Sequence, residues 1–125
     1  MKQPFVLIID DETQAADTAR FVLKRAGFDA LTAYSPEEGL ELAFEKGPDV
    51  IICDVAMPRI SGLEILRRLK AHPLTAHIPV ILTSGSDLLD CSGMFTFLIK
   101  PFDTISLVSA ARNALAGAEA LPALC

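Results

Sequence analysis

The sequence predicts an α/β domain, a parallel sheet covered by helices on both faces. Three observations lead there. Short apolar runs without polar alternation, most clearly Val50–Cys53, suit strands buried on both sides. These runs alternate with capped helical patterns, the order of βαβ units. The side chains with chemistry to offer, Asp10, Asp11, Asp54, Ser84 and Lys100, fall where the runs end. Open parallel sheets place their ligand sites outside the carboxyl ends of their strands.

The first strand is Phe5–Ile9, and it ends in Asp10, Asp11 and Glu12. A helix follows, in which Ala16, Ala19, Leu23 and Ala26 recur at helical spacing and Gly27 supplies the stop. Ala30–Ala33 makes a short second strand. Ser35 as N-cap, Pro36 at the first helical position and Glu38 at the third open the second helix, which runs to Gly47. The third strand delivers Asp54, and Met57-Pro58 closes it because proline has no N–H for a ladder. Ser61 and Glu64 repeat the capping pattern for a third helix, where Leu63, Leu66 and Leu69 form the expected core stripe and Pro73 the stop. Pro79–Thr83 is the fourth strand, and Phe95–Ile99 the fifth. Asp103 caps a last helix carrying Ile105, Leu107, Val108, Ala111 and Leu115. Between the fourth and fifth strands only Ser84 to Met94 remains, with Gly93 as a breaker. A helix there reaches about two turns at most, so it is expected to be shortened or irregular.

At 125 residues and 51% hydrophobic, the chain suits one domain whose core needs no disulfides. That domain is placed at residues 1–118, with the Ala-rich residues 119–125 as a tail or the start of a linker. A net charge of -5 argues against gripping a phosphate backbone, so no direct nucleic-acid binding is expected of this domain. The cluster Arg67, Arg68 and Lys70 reads as the solvated face of a helix. Cys53, Cys91 and Cys125 have neither metal-ligand nor redox-pair spacing, which points to a reducing cytoplasm, with Cys53 as a small buried hydrophobe. His72 and His77 have no partner at ligand spacing. No signal-peptide region and no bilayer-length apolar stretch is present, so a cytoplasmic chain without membrane contact is expected.

The strand ends gather Asp10, Asp11, Asp54, Ser84 and Lys100 on one rim. Crowded carboxylates repel by roughly 4 kcal/mol per pair at about 4 Å and an effective dielectric near 20, so they call for a cation. Mg²⁺ fits best: it takes hard oxygen ligands, binds through one or two carboxylates, and keeps room for water or phosphate oxygens. Lys100 and Ser84 then suit a phosphoryl group, the one as an ammonium charge and the other as a hydroxyl donor. Taken singly, each residue has a plainer use. Asp54 serves as a turn acid, Asp10 and Asp11 favour the positive end of a helix, Lys100 is solvated, and Ser84 belongs to a turn.

Asp10-Asp11, Asp54 followed by Met57-Pro58, Pro79 to Gly85, and Lys100-Pro101-Phe102 together resemble the receiver domain of two-component response regulators, over roughly Phe5 to Leu115. Five such positions in family order outweigh the plainer readings. The resemblance implies a flavodoxin-like, doubly wound, five-stranded sheet in the order 2-1-3-4-5, which seats the first and third strands side by side. It implies that Asp54 is the phosphoacceptor for a sensor histidine kinase or a histidine phosphotransfer protein. Asp11 would bind Mg²⁺ directly, or Mn²⁺ in its place, and Asp10 mainly through water. Asp54 and the backbone carbonyl of Ala56 would complete the protein ligands. Lys100 would pair with Asp54 and then with the phosphoryl group, and Ser84 would hold a phosphate oxygen. Phe97 matches the aromatic whose rotamer follows that movement, and Pro101 the family's cis-proline. Thr83 competes with Ser84 for the switch role. Ser84 is preferred because Gly85 follows it and because it stands 30 residues after Asp54.

On this resemblance the domain catalyses only its own phosphorylation and dephosphorylation, and a downstream effector protein or domain reads the result. Ala56, two after the acceptor, would shield the phosphoryl group little. Two rival readings differ in class. One is a pseudo-receiver, an interaction module that binds its partner constitutively; its support is the short segment Ser86 to Met94, where many relatives carry a dimerising or effector-binding helix. The other is an Asp-nucleophile phosphatase of the haloacid dehalogenase type, which needs Asp-x-Asp where this chain has Asp54-Val55-Ala56.

Overall fold

The computed structural model describes residues 3–85, 96–100 and 102–117. In chain order the elements are β1 (Phe5–Ile9), α1 (Thr13–Arg25), β2 (Asp29–Ala33), α2 (Pro36–Lys46), β3 (Val50–Asp54), α3 (Gly62–Lys70), β4 (Val80–Ser84), β5 (Thr96–Ile99) and α4 (Thr104–Leu115). The five strands form one parallel sheet in the order β2-β1-β3-β4-β5. This is the flavodoxin-like order, whose direction reverses between β1 and β3. The short helix expected before β5 falls on residues 86–95, outside the described residues.

Two apolar layers explain why the strands read as continuous apolar runs. Successive side chains of a strand point to opposite faces. Leu7, Ile9, Ile51, Cys53 and Leu82 join the layer that holds Ala43 of α2 and Ile65, Leu66 and Leu69 of α3. Val6, Ile8, Val50, Ile52 and Ile81 join the layer with Ala16, Ala19 and Leu23 of α1 and Leu107 and Ala111 of α4. Cys53 is fully buried, and its thiol pKa is pushed up by that burial and by the charges of Asp54 and Asp10. It is a core residue, as its sequence context implied.

The caps are half of what the sequence suggested. Ser35 Oγ accepts the Glu38 N–H at 3.1 Å, but the Glu38 carboxylate reaches back to the Tyr34 N–H rather than to Ser35. Ser61 Oγ accepts the Glu64 N–H at 3.2 Å, while the Glu64 carboxylate turns outward to Arg67 and Arg68. Asp103 Oδ1 accepts the Ser106 N–H at 2.7 Å and starts α4. Gly47 ends α2 in the left-handed region at φ 56, a conformation that carries little penalty for glycine.

Two expectations, on Leu63 and on the basic cluster, need correction. Leu63 is 45% exposed, and Gly62, Ile65, Leu66 and Leu69 make the buried stripe of α3. The small Gly62 lies against the backbone of Asp54 and Val55, which fixes the rotation of the helix and turns Leu63 outward. Ile105 is 76% exposed, whereas Leu107 and Ala111 carry the packing of α4. The basic cluster on α3 is not uniformly solvated: Lys70 Nζ donates to the carbonyls of Ala76 at 3.1 Å and Ile78 at 3.0 Å. With Thr75 Oγ1 donating to the Leu69 carbonyl at 2.7 Å, it ties down the connection into β4.

Candidate functional site

Strand register brings the functional residues level. Ile9 pairs with Cys53, Asp54 with Thr83, and Ser84 with Ile99. Asp10, one residue beyond β1, therefore stands beside Asp54, the last residue of β3, at the point where the sheet order reverses. Ser84 closes β4, inside the strand rather than after it, and its carbonyl accepts the Lys100 N–H at 2.7 Å.

Asp10, Asp54 and Ser84 are each at least 94% buried by relative accessibility, while Asp11 is exposed. One carboxylate oxygen from each of Asp10, Asp11 and Asp54 lies within 4.8 Å of the others. Lys100 Nζ donates to Asp10 Oδ2 at 2.9 Å, and lies 3.6 Å from Asp54 Oδ1 and 3.6 Å from Glu12 Oε1. The other oxygen of Asp10 accepts the Glu12 N–H at 3.0 Å. The expected Lys100–Asp54 pairing is therefore the looser contact, and Asp10 is the principal partner.

The electrostatics follow from this crowding. Burial pushes the Asp54 pKa above the usual carboxylate value, and the charge of Asp10, with a smaller contribution from Asp11, adds to it; Lys100 and the Ala56 N–H hold it back. Burial pulls Lys100 down, but its hydrogen bond to Asp10 and the charges of Asp10, Asp54 and Glu12 carry it above the ordinary lysine value. One lysine thus faces three acids, Asp10, Asp54 and Glu12, and Asp11 completes the carboxylate cluster. Three oxygen donors at this spacing, with residual negative charge, fit a hard divalent cation, Mg²⁺ or Mn²⁺.

The loop after β3 encloses the site from one side. The Ala56 backbone N–H lies on the side of the Asp54 carboxylate and favours its ionised form, and the Gly62 N–H donates to the Val55 carbonyl at 2.9 Å. A Cβ on Gly62 would meet the Asp54 carbonyl and lie 2.8 Å from Val55 Cα, so only glycine fits beside the acceptor's backbone. Of the other expected residues, Phe97 lies on β5 opposite Leu82, with its side chain outside the described residues. The cis-proline expected at Pro101 also falls outside them. His72 Nδ1 accepts the Leu74 N–H at 3.1 Å, and its ring meets Phe44 edge-on at 4.8 Å. Sequence reading gave no role at the site to Glu12, Gly62 or Arg59; the Gly after the Ser61 cap was the visible signal for Gly62.

A doubly wound α/β domain with three clustered carboxylates, a buried hydroxyl and a lysine at its switch point carries an acidic pocket suited to a metal ion. The chain belongs to the response regulator receiver domain family, whose model matches residues 6–112. It is 33% identical over 125 residues to the DNA-binding dual master transcriptional regulator RpaA of Synechocystis sp., an alignment covering 95% of this chain and 52% of that protein. The chain thus spans about half the length of this curated relative. Among solved structures it is similar to a response regulator receiver domain protein from Clostridium thermocellum, with a TM-score of 0.83, 35% identity, and coverage of 91% of this chain and 95% of that one. It is also similar to a response regulator from Desulfuromonas acetoxidans, with a TM-score of 0.78, 30% identity, and coverage of 90% and 97%. Among the described residues, no helix is long and apolar enough to cross a membrane.

Proposed function

We propose that the domain, residues 1–118, is a phosphorylation switch in which Asp54 accepts a phosphoryl group from a phosphohistidine of a sensor histidine kinase or histidine phosphotransfer protein. The observation that carries this reading is the placement of Asp54: buried at the end of β3, within 4.8 Å of two other carboxylates and 3.6 Å from the Lys100 ammonium. A carboxylate oxygen of Asp54 attacks phosphorus as the phosphorus–nitrogen bond breaks; the bonding pair leaves with the imidazole, which takes up a proton. Asp54 must be ionised to attack, and Lys100 and the Ala56 N–H favour that form against the pull of burial. A divalent cation held by Asp10, Asp11, Asp54 and the Ala56 carbonyl would neutralise the phosphoryl oxygens.

Lys100 lies close enough to both Asp10 and Asp54 to transfer a hydrogen bond to a phosphoryl oxygen. Ser84, level with Ile99 across the β4–β5 seam, would contribute a hydroxyl, and Phe97 would follow that movement. Modification would then shift the population of the rim between two arrangements that a downstream effector distinguishes.

The test is intact mass after incubation with Mg²⁺ and acetyl phosphate, for the wild type and Asp54→Ala. The expected result is a phosphoryl-sized gain that the substitution and a chelator both abolish. A gain that survives Asp54→Ala would overturn the acceptor assignment. No gain with either acetyl phosphate or a phosphorylated histidine kinase would favour constitutive binding instead.

A further inference from the structure

Arg59 is the one non-glycine residue with positive φ among the described residues, at φ 69. A long side chain in the left-handed region is disfavoured, and glycine or asparagine would sit there at less cost. Arg59 nevertheless makes a bidentate pair with Glu37 in the first turn of α2: Nε donates to Oε2 at 3.0 Å and Nη2 to Oε1 at 2.8 Å. Both side chains are more than half exposed, so their attraction is screened and adds little to stability by itself.

The position of the pair gives it a different use. Arg59 stands in the loop that leaves Asp54, between Ala56, whose backbone N–H favours the ionised Asp54 carboxylate, and Gly62, whose N–H returns to the Val55 carbonyl. Inside the loop, short-range bonds hold its shape: the Met57 N–H donates to the Val55 carbonyl and the Ile60 N–H to the Pro58 carbonyl. The start of the loop is anchored as well, by the Val55 N–H donating to the Thr83 carbonyl at 2.8 Å and by the buried Met57 side chain, so the exposed turn at Arg59 is the part left for a further tie. Among the described residues, the Arg59–Glu37 pair is the ion pair that fastens this loop to another element. A guanidinium fork against a carboxylate fixes orientation as well as distance.

We propose that Arg59 and Glu37 form a positioning latch, which holds the β3–α3 loop so that the Ala56 backbone faces the carboxylate pocket and tightens its hold on a divalent cation. The inference rests on the metal-dependent reading above. Arg59 touches neither cation nor phosphoryl group; it acts through Ala56. Arg68 of α3 also faces Glu37, so the carboxylate keeps some cationic company when Arg59 is removed.

The test pairs a binding constant with a melting temperature. Mg²⁺ dissociation constants are measured by following the Ala56 amide resonance, and thermal melts are run with chelator. Arg59→Gly relieves the backbone conformation while removing the latch, so it should keep Tm within about 3 °C of wild type or raise it, yet weaken Mg²⁺ about two- to fivefold. Glu37→Gln should weaken Mg²⁺ by a similar factor, and the double variant no further than the weaker single one. The swap Arg59→Glu with Glu37→Arg should recover part of the loss. Unchanged Mg²⁺ affinity in Arg59→Gly, or losses that add in the double variant, would overturn the latch while leaving the switch reading intact. A wild type that neither binds Mg²⁺ nor takes a phosphoryl group would overturn the functional reading on which the latch rests.

Discussion

Lys100 stands closer to Asp10 than to Asp54: its ammonium is 2.9 Å from Asp10 Oδ2 and 3.6 Å from Asp54 Oδ1. The lysine therefore neutralises chiefly Asp10, a carboxylate proposed to hold the cation, and leaves the proposed nucleophile in a looser, mainly coulombic contact.

Removing that ammonium should expose the repulsion it masks. Lys100→Ala leaves Asp10 and Asp54, whose side chains are 8% exposed, side by side with no cationic side chain bonded to either among the described residues. The metal-free variant should lose about 1–3 kcal/mol, read as a lower Tm in chelator. Added Mg²⁺ should then raise Tm by more in the variant than in wild type, because the cation no longer competes with an ammonium. Equal Mg²⁺ shifts in the two proteins would contradict this account.

The raised pKa of Asp54 makes a prediction with a definite sign. A carboxylate held above its unfolded value binds more protons in the folded state, so stability falls as pH rises from the ordinary carboxylate range through the folded pKa. Below that window both states are protonated and no penalty exists. Asp54→Asn should therefore melt a few degrees above wild type at neutral pH without metal, of the order of 1 kcal/mol, and lose the advantage in acid. Tm measured against pH in chelator checks this; a constant offset at every pH would assign the gain to packing instead.

Gly62→Ala should damage both fold and site. The added methyl meets the Asp54 carbonyl and Val55 Cα, which are backbone and cannot rotate away. A loss of about 1–3 kcal/mol is expected by urea denaturation. Because the displaced strand end carries Asp54, Mg²⁺ affinity should fall as well. The same substitution at Gly85, where a Cβ meets nothing within 4 Å, is the control for adding a methyl group.

Most of the site was legible because its residues sit at the ends of apolar runs, and a run of five strand residues fixes where its last side chain emerges. Asp10, Asp54, Ser84 and Lys100 could be placed on one rim from that rule alone. The rotation of α3 could not. Leu63 and Ile65 lie two apart, about 200° around a helix, so only one can join Leu66 and Leu69 in the core. The choice falls to Ile65 because Gly62 packs on Asp54, a tertiary contact with no signature in helical spacing. Distances within the pocket, including the preference of Lys100 for Asp10, depend on side-chain reach across 90 residues of sequence separation. The Arg59–Glu37 pair likewise joins two surface segments that no periodicity relates.

The Ser84 carbonyl and the Lys100 N–H meet at the seam between β4 and β5, and β5 ends the sheet order. Asp54 lies on β3, which is hydrogen-bonded to β1 on one side and β4 on the other. Displacing the acceptor would break two ladders, whereas displacing the strand that leads into Lys100 strains one. The pocket thus has a fixed jaw and a compliant one, and a ligand that draws them together moves the margin of the domain while its centre stays in place.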